Sequence, residues 1–577
     1  MIEEERQKAR KCKEEVYGRM RIMKSRWKSA KAVHTDERIW TYIEGVIDHP
    51  EAHNLYEALG VERFFRLLSD YAWDAAAVTR FFRFYEAIRF NGANGRQRYK
   101  LTPVQCFQFA SIFGFRKSDG YRLTRTAYLF VPRKFSKTTS SASLAVYDLL
   151  FGDNNAQAYV AANSYTQASI CFKEIRNIIS DLDRRGKHFR VNRETVMFID
   201  KKREAFASCL SSNPKTLDGL NASTVIMDEY AQARNTRTKS GAELKNVLVT
   251  SMGTRLEPLV IIITTASDVL DGPFYEELKY VLKILRGESQ DDSIFASIFM
   301  PDVDDEESSM ETWKKVQPHM GVTVRKEFYE NAWKDAQRTA DDMLAFRTKL
   351  LNIFCINEAK RWFTADEARR ITGNFDIDKV KGLECSVAFD LSVKDDFSAV
   401  TYTVYSSKTK MFYCHTEYYF PEGSMENHVN RDLYNTWAQA GYLKICKGER
   451  IDTKMIREDI LRRSKKVKII VISYDSYKAQ DLTNDLAAVG AREVLKPFSQ
   501  TYGSFNLAVE SMEMLAYSDP PRIMMNDNPI NVFCLTNCVV DIDRMENKKP
   551  MKAEQTKKID GAITMLMTIG AMYNYER

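Results

Sequence analysis

The sequence has little that would build a disulfide scaffold, a zinc module or a membrane protein. Its ten cysteines are scattered and form no CxxC pair. Cys534 and Cys538 could share a helical face, but no histidine lies near enough to complete a zinc set. Reduced, buried thiols are therefore expected. No run approaches the roughly eighteen apolar residues of a membrane-spanning helix. The chain is charged from its third residue and has no apolar signal core there, so the expectation is a protein that stays in the cytosol. Only 14 prolines and 24 glycines occur in 577 residues, without repeats or low-complexity tracts, so most of the chain should fold. That length exceeds one hydrophobic core, and about two to four domains are expected.

What is present divides into textures. Residues 1–75 read as a helical region, with apolar positions such as Ile43, Val46 and Ile47 at helical spacing. Helical segments continue around FFRFYEAIRF. From about 124 to 270, short apolar runs (TAYLFV, AYVAA, TVIMD, LVIIITT) alternate with helical stretches. This is the pattern of a parallel sheet with crossover helices, and it assigns 76–300 to one α/β domain. The acidic segment PDVDDEESSME reads as a surface loop or boundary, and 301–375 as a helical linker. A second α/β block, 376–577, opens with three strand-like runs and then alternates helix and strand, an RNase H-like order.

The net charge of +7 is modest, but two clusters stand out. Residues 1–30 hold ten Lys/Arg against five acids, and 444–468 hold ten against four. Such clusters can neutralise phosphates or simply form solvated helix faces.

The first domain contains the parts of a nucleotide site. In VPRKFSKTT (131–139), Lys137 and Thr138 occupy the places of the GK[ST] pair of a phosphate loop, between a strand and a helix. Val131 and Ser136 stand where that loop normally has glycines. The candidate phosphate-binding set is Arg133, Lys134, Ser136, Lys137, Thr138 and Thr139. Downstream, TVIMDEY delivers Asp228 and Glu229 at a strand end, suited to a magnesium shell shared with Thr138 and to polarising the attacking water. Thr264 and Thr265 end the next strand, where a γ-phosphate sensor belongs. Arg133 is a candidate arginine finger.

The second block places aspartates at three points: Asp390 at the end of VAFDLS, Asp475 after VKIIVISY, and Asp560 at the start of the helix-like DGAITMLMTIGAMY. Two-metal phosphodiester hydrolysis needs such converging carboxylates, with Mg²⁺ or Mn²⁺ as the hard cation. Lys548, Lys549, Lys552, Lys557 and Lys558 precede the last acid and are candidates for holding a DNA backbone.

In their order and spacing, VPRKFSKTT, TLDGLNASTVIMDEY, IIITTAS and DLSVKDD resemble the large terminase subunit of tailed bacteriophages. The resemblance implies a P-loop ATPase joined to an RNase H-like nuclease. Asp390 would be the central metal ligand, with Asp395 or Asp396 auxiliary. LTPVQCFQF resembles that family's adenine-contacting segment and nominates Gln105. Ser136 departs from this branch, which commonly has glycine there. The resemblance also implies double-stranded DNA as substrate and a homo-oligomeric ring at a capsid portal. A portal protein and a small terminase subunit would be partners, in the host cytoplasm. Two other readings remain at this stage: a helicase-like ATPase without nuclease activity, and an RNase H-like integrase.

Overall fold

The computed structural model describes residues 2–92, 95–200, 202–210, 219–234, 240–270, 272–355, 362–392, 397–425, 431–476, 479–543, 545–552 and 558–575. Asp395, Asp396 and Lys557 lie outside them. The chain forms two compact units, Met1–Ile356 and Asn357–Arg577.

The first unit is built on an eight-stranded sheet. In chain order its strands are β1 (Thr126–Phe130), β2 (Gln157–Ala162), β3 (Phe189–Val191), β4 (Thr195–Phe198), β5 (Phe206–Cys209), β6 (Thr224–Asp228), β7 (Leu259–Thr264) and β8 (Ile294–Ile298). Their spatial order is β8-β1-β7-β6-β2-β5-β4-β3. Pairing is parallel from β8 to β5 and antiparallel at the β5-β4-β3 edge. Strands β6 and β7 lie mid-sheet between helical layers, which is why they read as unbroken apolar runs. Every residue of β7 is buried.

The N-terminal helices, Ile2–Lys28, Glu37–Asp48 and Leu55–Asp70, belong to this unit. The first buries Val16, Tyr17, Met20 and Trp27, and Trp27 stacks on Phe65 at 4.2 Å. Several of its basic residues are engaged within the fold. Lys13 pairs with Asp302 at 2.6 Å, Arg19 with Glu62 at 2.7 Å and Lys24 with Asp48 at 2.6 Å. Asp302 and Asp305, from the segment expected to be a loop or boundary, also hold the buried Lys315.

The second unit has another eight-stranded sheet. Its strands are β9 (Thr372–Gly373), β10 (Glu384–Asp390), β11 (Ser398–Ser406), β12 (Met411–Pro421), β13 (Leu443–Cys446), β14 (Lys468–Tyr474), β15 (Leu495–Pro497) and β16 (Ile523–Asn526). The order is β9-β16-β12-β11-β10-β14-β15, with β13 pairing the far end of β12. The antiparallel β10-β11-β12 meander and the parallel β10-β14 pair give the expected RNase H-like arrangement. The helix Asp560–Tyr575 crosses β10 and β11 on one face.

On the opposite face, the basic cluster 444–468 is drawn into ion pairs. Arg463 is buried and reaches Glu417 at 2.6 Å and 2.7 Å. Lys444 bridges Glu417 and Asp459, while Arg462 and Lys466 hold Asp378. Much of the charge that suggested phosphate contact therefore stabilises this layer. Among the described residues, no helix is long and apolar enough to cross a membrane.

Candidate active sites

Strand β1 runs into the loop 131–136, and the helix Lys137–Phe151 follows. The turn requires left-handed backbone at Lys134 (φ 71°) and Ser136 (φ 64°). An L-residue in this conformation costs roughly 1–2 kcal/mol, which is why glycine is common there. The Ser136 carbonyl begins the helix, accepting from Ser140 N at 3.0 Å and Thr139 Oγ1 at 2.9 Å. The helix N-terminus thus faces the loop, an arrangement suited to anions.

Lys137 and Glu229 meet across this turn, with Nζ 2.6 Å from Oε1. The other Glu229 oxygen accepts from Thr265 N at 3.2 Å and Thr265 Oγ1 at 3.0 Å. Glu229 is itself left-handed, at φ 50°. Burial opposes its charge, yet Lys137 beside it holds the carboxyl below its usual range. Asp228 goes the other way: burial, then the Glu229 charge, push it up to about 6. The two adjacent acids are thereby poised differently.

A cavity of about 730 Å³ opens over the loop. Arg133, Lys134, Ser136, Lys137, Thr138 and Thr139 form one wall. Phe328, Phe346, Lys349 and Leu350 belong to the other, from the helices Lys326–Ala336 and Ala340–Lys349 and the residue that follows. Lys349 of this wall, with Gln317 and Thr323 from the chain before it, also pins the loop. Arg133 N donates to the Lys349 carbonyl at 2.8 Å, Gln317 Nε2 donates to the Arg133 carbonyl at 2.8 Å, and Thr323 donates to the Lys134 carbonyl. Lys349 Nζ donates to the Ala266 carbonyl at 3.0 Å, and Asn352 receives Ala266 N at 2.8 Å. Gln105 lies outside the cavity lining, buried at a helix start, where its carbonyl oxygen accepts from Thr102 N at 3.1 Å.

The motif pattern located the loop and the acids but missed Lys349, Gln317, His319 and Asn352. They lie far along the chain, at a helix end and in the turns that follow helices, without a motif, and only tertiary packing brings them to the loop.

In the second unit, Asp390 ends β10 and Asp475 follows β14. Phe389 and Tyr474 are register partners whose rings stack at 5.7 Å. Both aspartates come one residue later, so they are neighbours on the opposite face. That face carries the C-terminal helix. Thr568 Oγ1 meets Thr403 Oγ1 at 2.7 Å, and Thr564 Oγ1 meets Thr401 Oγ1 at 2.7 Å. One further helical turn back leads from Thr564 to Asp560, just as two strand residues lead from Thr401 to Ala399, the partner of Asp390. The three aspartates thus gather at one end of one face.

Gly561 permits this approach, since a Cβ there would clash with the Tyr418 ring, 2.7 Å from Cζ. Carboxylates are hard oxygen donors, the kind that divalent metal ions of an endonuclease take. Among the described residues, no three His, Cys, Asp or Glu side chains are drawn together closely enough to hold an ion as they stand. Asp395 and Asp396 follow Asp390 in sequence and lie outside the described residues. Lys548 is engaged with Glu513 at 2.6 Å, and Lys549 lies over the Tyr502 ring.

The family models agree with both halves. The terminase large subunit ATPase domain matches residues 103–283, and the terminase large subunit endonuclease domain matches residues 288–576. The chain belongs to the terminase large subunit family. It is 23% identical over 482 residues to the large terminase subunit of Enterobacteria phage HK97, covering 81% of this chain and 91% of that protein. It is 25% identical over 371 residues to protein YmfN of Escherichia coli strain K12, covering 62% and 79%. The crystal structure of the HK97 bacteriophage large terminase has a similar fold, with a TM-score of 0.53, 20% identity, and coverage of 86% of this chain and 99% of that one. As a terminase large subunit the protein carries an ATPase and an endonuclease, the activities of DNA packaging and concatemer cutting. A nuclease-free helicase and an integrase do not account for both domains.

Proposed function

We propose that the loop 131–139 holds the triphosphate of ATP, and that the observation carrying this role is the Lys137–Glu229 pair beside the cavity. Lys137 reaches the β/γ oxygens. Thr138 and Asp228 hold the magnesium shell, while Lys134, Ser136 and Thr139 complete the cradle. Glu229 polarises the attacking water, and Thr265 reads its position through their hydrogen bond. Arg133 is exposed on the cavity wall and stabilises charge developing in the transition state. Gln105 contacts the adenine.

In the second unit, Asp390, Asp475 and Asp560 hold the divalent cations, with Asp390 central, as its place in the DLSVKDD motif implies. Mg²⁺ or Mn²⁺ there would supply an activated water and Lewis-acid chemistry for phosphodiester hydrolysis. The protein's part is to fix three carboxylates at one sheet end, through the β10-β14 register and the two threonine contacts to the helix.

The protein works as a homo-oligomeric ring at the procapsid portal in the host cytoplasm, with a portal protein and a small terminase subunit as partners. One assay tests both sites: plasmid, ATP and Mg²⁺ or Mn²⁺, scoring hydrolysis and cutting separately. Absence of either activity in the intact chain would refute the corresponding assignment.

A further inference from the structure

His319 has no motif around it, yet it is buried against the phosphate loop. Its ring stacks on Phe135 at 4.3 Å, with the planes 6° apart. Nε2 lies 2.9 Å from Thr102 Oγ1, and Nδ1 faces Ser136 Oγ at 3.5 Å, a long hydrogen bond. Burial pulls the imidazole down to about 4, so it is neutral at working pH, with one donor and one acceptor nitrogen.

The neighbours fix which nitrogen is which. Thr102 Oγ1 donates to Gln105 Oε1 at 3.1 Å, so its contact with Nε2 must be one it accepts. Nε2 then carries the proton, and Nδ1 accepts from the Ser136 hydroxyl. The circuit continues beyond Gln105. The buried Tyr85 hydroxyl is hydrogen-bonded to Gln105 and donates to Thr139 Oγ1 at 3.5 Å. Thr139 Oγ1 donates to the Ser136 carbonyl at 2.9 Å. Thr102 and Thr139 each both donate and accept, and the circuit runs from the Ser136 hydroxyl back to the Ser136 carbonyl.

We propose that His319 is a positioning residue for nucleotide binding, tethering the left-handed Ser136 to the Thr102–Gln105 helix start. A glycine would hold the turn without help; serine bears the conformational cost of φ 64°, and the imidazole offsets it by accepting the serine hydroxyl. The same tether links the triphosphate cradle to Gln105, so the two ends of the nucleotide site are set by one hydrogen-bond circuit. This rests on the reading of 131–139 as the ATP loop.

The test uses the full-length protein and measures Mg-ATPγS affinity by calorimetry together with kcat and KM for ATP. His319→Phe keeps a ring against Phe135 but removes both hydrogen bonds. It should raise Kd and KM roughly tenfold and leave kcat within about twofold, the pattern of lost ground-state binding. In the Ser136→Gly background the same substitution should cost less than about threefold, because the turn no longer needs the tether. Should His319→Phe fail to fold, His319→Leu, which has neither donor nor acceptor, takes its place with the same expectations. An equal loss in both backgrounds, a loss confined to kcat, or unchanged affinity would each overturn the proposal. Undiminished Mg-ATPγS binding by Lys137→Ala would instead refute the underlying loop assignment.

Discussion

Lys137 and Glu229 form a 2.6 Å ion pair that ties the phosphate loop to the end of β6. The cation proposed for the phosphates and the carboxylate proposed for the water thus neutralise each other. On that proposal, a triphosphate that captures Lys137 would free Glu229, and substrate binding would activate the base.

The two partners should fail differently. Lys137→Ala is expected to lose nucleotide affinity and hydrolysis together. Glu229→Ala should bind Mg-ATPγS and yet hydrolyse ATP at least about a hundredfold more slowly. Wild-type turnover in Glu229→Ala would remove that residue from the mechanism.

Asp228 makes stability depend on pH. Its folded value, about 6, lies above the ordinary 3.8. Between these values the folded state keeps a proton that the unfolded chain has lost, so stability falls as pH rises from about 4 to 6 and stays low above. Asp228→Asn should therefore raise Tm at pH 8, by up to about 3 kcal/mol of stability, and lose most of that advantage near pH 4. It should also lose magnesium-dependent hydrolysis. A Tm difference independent of pH would contradict the burial argument.

For the nuclease, alanine at Asp390, Asp475 or Asp560 should abolish cutting of plasmid in Mg²⁺ or Mn²⁺ and spare ATP hydrolysis, since the sites lie in separate units. Wild-type cutting should weaken steeply as salt rises from about 50 to 200 mM, through lost counterion release. Gel assays of each variant decide the matter: retained cleavage in both Asp390→Ala and Asp475→Ala defeats the two-metal assignment.

Gly561→Ala tests the helix approach rather than the acids. The added methyl meets the Tyr418 ring, and overpacking of this kind costs about 1–3 kcal/mol. Cutting should drop well beyond what the stability loss explains, because Asp560 moves with the helix start. Normal cleavage by a variant of lowered Tm would show that this contact does not set the acid's position.

Removal of residues 1–30 should expose the core packed by Val16, Tyr17, Met20 and Trp27. The expected result is a lower Tm and weakened ATPase activity even without DNA. An unchanged melting curve, with only DNA binding reduced, would return this helix to the role of a phosphate contact.

Much of the fold was legible because both sheets place apolar runs between helices, and the parallel core strands carry almost nothing else. The antiparallel β5-β4-β3 edge and β8 were not legible: FRV and FASC are short and mixed, and pairing rather than composition makes them strands. Asp228, Glu229, Asp390 and Asp475 stood out because they close apolar runs at strand ends, and Asp560 because it opens an apolar helix. Gln317, His319, Lys349 and Asn352 did not, because their contacts close over long stretches of chain that local periodicity cannot span. The basic stretch 444–468 misled for a related reason: Glu417 and Asp378, which engage it, lie outside the cluster.

The wall formed by Phe346, Lys349 and Leu350 lies beyond residue 283, where the ATPase family match ends, and inside the 288–576 nuclease match. Family boundaries and folding boundaries therefore differ in this chain. A fragment ended at 283 would carry the phosphate loop with only half its enclosure, and a nuclease fragment begun at 288 would bring along helices whose packing partner had been left behind. Exchange of domains between relatives should respect the division near residue 356, where each piece takes its own contacts with it.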